Sequence, residues 1–145
     1  MKKLILLNIC LLFSTLTLAI PSKQQDNINI VVRPAIYGLW GMKIPEHQCI
    51  EYYNFKNNGQ TVIHSAKEWS TGIYEYQPSN ENKKIGALAL QIKYDNNEKD
   101  CSNQQINQTG EVSQYFIHWK DDNNIQFCDS AEGNKCFADL KRVLP

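Results

Sequence analysis

The sequence predicts an all-β domain: a single small antiparallel up-and-down barrel of about eight strands, with a β-sandwich as the alternative. Three observations carry this expectation. Apolar and polar residues alternate over residues 86–94 and 114–120, as they must in a strand with one buried face. Clusters rich in asparagine and aspartate recur between such runs, and these residues tolerate the left-handed backbone of tight turns. No stretch of the body repeats its apolar residues at the 3.6-residue period of a helix.

Each element has its own justification. Residues 36–44 form the first apolar run, and residues 49–56 and 60–66 flank Asn57-Asn58-Gly59. A two-residue loop ending in Asn-Gly is the strongest short hairpin signal, so these two runs are expected to pair. Residues 69–77 supply the next strand. The clearest alternation then sets Gly86, Leu88, Leu90, Ile92 and Tyr94 on one face, against Ala87, Ala89, Gln91 and Lys93 on the other. Tyr115, Ile117 and Trp119 repeat the pattern, broken only by Phe116, and residues 124–128 and 136–143 complete the set. Reversals are expected at 78–84, 96–100, 121–124 and 129–135. A meander of eight strands removes its exposed edges by closing on itself, which also creates an interior.

Ahead of the domain, Lys2 and Lys3 precede an apolar run over residues 4–18, and Thr17-Leu18-Ala19 offers the small residues a signal peptidase requires. Residues 1–19 are therefore expected to be a cleavable signal peptide of bacterial type, residues 20–34 a flexible leader, and residues 35–145 one disulfide-stapled domain. The run falls short of the roughly 20 apolar residues of a spanning helix and is interrupted by Asn8, Ser14, Thr15 and Thr17, so no membrane span is expected after cleavage. Cys10 follows bulky Ile9 inside the run, which argues against lipid attachment there. The expected location is periplasmic or secreted, and the expected state is a monomer. Of the 15 basic side chains, Lys2 and Lys3 leave with the signal, so 13 remain against 15 acidic ones. That balance offers nothing to a phosphate backbone, and nucleic acid is excluded as a partner.

Cys49, Cys101, Cys128 and Cys136 allow three disulfide pairings. Geometry favours Cys128 with Cys136, which flank one loop at the ends of adjacent strands, leaving Cys49 with Cys101. Closely spaced thiols of the C-x-x-C kind are missing, and His47, His64 and His118 fall on three separate segments, so neither a metal nor another cofactor is expected. The stretch from Asp95 to Asp100 has aspartate where a calcium loop requires its glycine, so it reads as a turn. The sequence lacks G-x-S-x-G, H-E-x-x-H and a phosphate-binding glycine loop, and the expectation is a protein that is not an enzyme.

One constellation carries a resemblance. Gly38 and Trp40 place G-x-W at the start of the first strand, and Arg142 lies in the last. This resembles the lipocalins and the wider calycin group, small barrels that hold apolar or aromatic ligands. The resemblance implies that Trp40 closes one end of the barrel and that Arg142 packs across its face, both as structural residues. The chain carries no threonine-aspartate-tyrosine motif and no helix after the last strand, which implies a shallower barrel and a smaller ligand. Two readings of function follow. The first is an exported, non-catalytic barrel holding a small apolar or amphipathic ligand, with Tyr74, Tyr76, Tyr115 and Trp119 as its lining. The alternative is a periplasmic inhibitor or immunity-type protein that binds a protein partner through the loops at 95–110 and 129–135.

Overall fold

The computed structural model describes residues 35–79 and 84–145. The expected signal peptide and leader lie outside the described residues. Eight strands follow one another: β1 (Gly38–Ile44), β2 (Cys49–Phe55), β3 (Gln60–Ser65), β4 (Glu68–Gln77), β5 (Ile85–Asp95), β6 (Val112–Asp121), β7 (Asn124–Cys128) and β8 (Cys136–Leu144). Each pairs antiparallel with the next, and β1 pairs with β8, so the sheet closes into an up-and-down barrel and the sandwich alternative is set aside. A single 3-10 turn, Pro45–His47, is the only helical element among the described residues.

The strands fall close to their expected positions, and the differences have physical causes. β1 begins at Gly38 and not at residue 36, because residues 35–37 leave the sheet to cross one end of the barrel, where Ile36 is buried. The β2–β3 hairpin turns through three residues, 57–59, between the hydrogen-bonded pair Lys56 and Gln60, with Gly59 at φ 79°. The expected two-residue loop gives way to the three-residue form, whose last position is left-handed. The reversal expected at 96–100 extends over residues 96–111.

The largest departure lies in β5. Gly86, Leu88, Leu90 and Ile92 face inward as the alternation requires, but Tyr94 is 48% exposed and Asp95 is buried. A bulge explains the switch: Gly72 pairs with Ile92 whereas Thr71 pairs with Tyr94, so Lys93 is an extra residue and the phase inverts beyond it. A Cβ at Gly72 would lie 2.3 Å from the carbonyl oxygen of Gln91, so glycine is what lets the strands approach at this bulge. Tyr94 packs outside against Trp69, their ring centroids 5.0 Å apart. Asp95 is thereby delivered to the interior.

The interior has two unlike halves. Towards Gly38, the inward side chains Ile36, Trp40, Phe55, Leu88, Ile117, Trp119, Ile125 and Leu140 form a filled apolar core, with Trp40 edge-on to Trp119 at 5.7 Å. Towards the opposite end the inward positions turn polar: Glu51 on β2, Ser65 on β3, and Glu68 and Ser70 on β4. Tyr53 and Phe127, edge-on at 5.3 Å, divide the two halves.

Candidate functional site

The apolar end is closed by a small cluster. The guanidinium of Arg142 sits 4.2 Å above the Trp40 ring. It donates from Nη1 to the Tyr37 carbonyl at 2.7 Å, from Nη2 to the Ala35 carbonyl at 3.2 Å, and from Nε to the Asp122 carbonyl at 3.0 Å. Trp40 Nε1 donates to the Ile36 carbonyl at 2.7 Å. A Cβ at Gly38 would lie 2.7 Å from Arg142 Nη1, so a side chain there would push the arginine away. The three residues of the sequence resemblance thus meet, and they pin the segment 35–37 that leads into β1 across the barrel floor.

The opposite end holds a cavity of about 200 Å³. Ile63, Leu90, Ile92 and Tyr115 give it apolar walls, and Glu51, Glu68, Ser70 and Ser113 line it from the strands. Asp100, Gln108 and Glu111 close it from the loop at 96–111. This loop is fixed over the barrel end by several anchors. Cys101 is disulfide-bonded to Cys49 at the start of β2. The backbone N–H groups of Lys67 and Glu68 donate to the Lys99 carbonyl at 3.1 and 3.2 Å, and that of Gly110 donates to Ile92 at 2.9 Å. Asp95, placed inward by the bulge, accepts from the backbone N–H groups of Asn97 at 2.5 Å and Gln108 at 3.3 Å. A calcium-loop likeness in sequence is in fact a carboxylate bracing its own loop.

Within the cavity wall, the Glu51 carboxylate accepts from the Tyr53 hydroxyl and from Ser65 Oγ, the latter at 2.7 Å. Ser65 Oγ accepts in turn from the Cys101 backbone N–H at 3.0 Å, so Glu51 is tied to the loop above it. Burial, and then the Glu51 charge, push the Tyr53 phenol well above its ordinary range. Glu68 is 7% exposed. Its carboxyl is pushed up to about 7, by burial first and then by the charges of Asp95, Asp100 and Glu51.

The four aromatic residues expected to line a ligand site do not assemble into one. Trp119 lies in the filled core, and its Nε1 donates to the Tyr76 hydroxyl at 2.7 Å. Tyr74 donates to the Lys56 carbonyl at 2.6 Å and packs edge-on against Phe55 at 4.9 Å. Tyr74 and Tyr76 border an open groove of about 400 Å³ at the floor, beside Tyr37 and Pro78. Tyr115 alone faces the inner cavity, with its ring stacked on Phe127 at 5.0 Å. Sequence reasoning missed Glu51, Glu68, Ser70 and Ser113. Their signal was polar residues at the inward phase of strands, which reads as a defect in the pattern unless it marks a site.

Both disulfides pair as geometry favours, Cys49 with Cys101 and Cys128 with Cys136. Two bridges in a domain of this size fit an oxidising compartment. Among the described residues, no helix is long and apolar enough to cross a membrane. No protein-family model, curated protein or solved structure matches the chain. The fold and site define a class, a closed eight-stranded barrel with one filled end and one roofed polar cavity.

Proposed function

We propose that this chain is an exported, non-catalytic binding protein, a lipocalin-like barrel that holds a small amphipathic molecule in the cavity beneath the 96–111 loop. The observation that carries the reading is the contrast between the two ends. Trp40, Trp119 and Phe55 are buried in one half with the rest of the apolar cluster, whereas the other half keeps about 200 Å³ of polar-lined space under a disulfide-tethered roof. Stability alone favours filling such a space, because a buried polar lining needs partners. The volume lies below the ~300 to 1,000 Å³ of drug-sized sites, so the ligand is small. The Arg142–Trp40 contact supports the lipocalin-like reading of the floor.

A protein-binding role is the second reading. It rests on an outer groove of about 300 Å³ between Glu75 and Gln77 on one side and Gln114 and Phe116 on the other, floored by Ala87 and Ala89. Native mass spectrometry of the chain purified from an exported fraction separates the two. A small mass lost on denaturation supports the cavity reading, and a bare mass beside a co-purifying protein supports the groove.

A further inference from the structure

We propose that the molecule held in the cavity is a small organic cation, a primary amine or guanidine on a short apolar or aromatic body, an inference that rests on the barrel being a small-molecule binder. Four carboxylates, Glu51, Glu68, Asp100 and Glu111, line the space, and no lysine, arginine or histidine does. Their charge therefore has no cationic partner in the wall. Glu51 already accepts two side-chain hydrogen bonds, Asp100 accepts two from the backbone N–H groups of Ser102 and Gln104, and Glu111 is exposed to solvent, which leaves Glu68 as the buried acid facing the space.

A second, independent feature points to an occupant. Ser70 is only 3% exposed, lies on the inward face of β4 and lines the cavity, yet its hydroxyl meets no hydrogen-bonding partner among the described residues. The hydroxyl opens onto the cavity, so its hydrogen bond falls to whatever occupies that space. It stands two residues from Glu68 on the same face of the strand, so one ammonium group can donate to both.

A bare metal ion fits less well. Among the described residues, no three histidine, cysteine, aspartate or glutamate side chains converge to hold one. Dispersed carboxylates suit a larger cation with several donors, and Ile63, Leu90, Ile92 and Tyr115 give its body an apolar seat. Ionisation of Glu68 couples binding to pH. The other titratable groups around it are Glu51, Tyr53, Asp95, Asp100, Glu111 and Tyr115, and Tyr53 stays protonated. Because the Glu68 carboxyl is held at about 7, affinity for an amine rises as the pH goes from 6 to 8.

Isothermal titration of the disulfide-intact protein with 2-phenylethylamine, 2-phenylethanol and phenylacetate tests this, since one body then carries a positive, a neutral or a negative head. The amine is expected to bind at least about tenfold more tightly than the alcohol at pH 8, the size of one charge-assisted contact. Phenylacetate is expected not to bind. Ser70→Ala should weaken the amine by roughly three- to tenfold with its melting temperature unchanged, because the hydroxyl has no partner in the wall to lose. Equal or tighter binding of the alcohol or the acid overturns the cation assignment while leaving the small-molecule reading intact. Failure of all three overturns the assignment, and a bare native mass alongside that failure overturns the small-molecule reading as well.

Discussion

Removing the Cys49–Cys101 bridge should destabilise the barrel more than removing the Cys128–Cys136 bridge, by an amount that the chain lengths set. The first closes a loop of 52 residues and the second a loop of 8. On the loop-entropy model, cross-linking at these lengths lowers the unfolded-state entropy enough to stabilise the fold by ~4 and ~2.5 kcal/mol respectively. Cys101 and Cys128 are both buried, so alanine leaves a comparable void at each, and the difference reports the loop. Urea unfolding of the Cys49→Ala/Cys101→Ala and Cys128→Ala/Cys136→Ala variants provides the assay. With an m-value of about 2 kcal/mol/M, the expected midpoint losses are ~2 M and ~1.2 M. A larger loss from the short loop than from the long one, at matched m-values, would refute the reasoning. The first variant should also exchange the amides of residues 96–111 faster, since the bridge is one of the anchors holding this loop over the cavity.

Three further outcomes are expected. Arg142→Met should cost about 2 to 3 kcal/mol in urea unfolding, from the loss of three carbonyl contacts and the ring contact, and Arg142→Lys should recover less than half of this because an ammonium cannot span the three carbonyls. Because the folded Glu68 carboxyl titrates at about 7 against 4.5 ordinarily, the native state holds a proton that the unfolded chain has released, so the stability contributed by that proton is complete at acid pH and lost as the pH rises through about 7. The stability of wild type relative to Glu68→Gln should therefore fall from about pH 4.5 to about 7 and level beyond, and thermal melts showing a rise over that range would contradict the placement of Glu68. Gly72→Ala should cost about 1 to 3 kcal/mol in the same urea assay, since its Cβ would sit 2.3 Å from the Gln91 carbonyl oxygen, and a neutral effect would show that the bulge relaxes freely.

Most of the barrel was legible because its strands obey a two-residue period and its turns carry the residues that turns demand. Gly86 through Ile92 and Tyr115 through Trp119 face as their alternation says. Gly38, Trp40 and Arg142 were readable as a set and meet at the floor. Tyr94 was misplaced because a bulge inverts phase without any strong local signal beyond a glycine on the neighbouring strand, which lies far away in sequence. The cavity was missed for a related reason. Aromatic residues attract attention as ligand contacts, yet Trp119 donates to the Tyr76 hydroxyl, Tyr74 donates to the Lys56 carbonyl, and none of these three rings lines the inner cavity. The wall of the cavity comes instead from Glu51, Glu68, Ser70 and Ser113, which look like ordinary strand polarity until the closure of the sheet turns them inward. Closure and shear are non-local properties, and no window of residues encodes them.

The central claim is that the space beneath the 96–111 loop is the binding site, and methyl NMR spectra of the protein titrated with 2-phenylethylamine test it most directly. Ile63, Leu90 and Ile92 line the inner cavity, whereas Ala87 and Ala89 floor the outer groove, so their methyl groups report the two faces separately. The account predicts that the isoleucine and leucine signals shift and show contacts to the ligand ring while the alanine signals stay in place. Shifts confined to Ala87 and Ala89 would contradict it, and would move the site to the outside of the barrel.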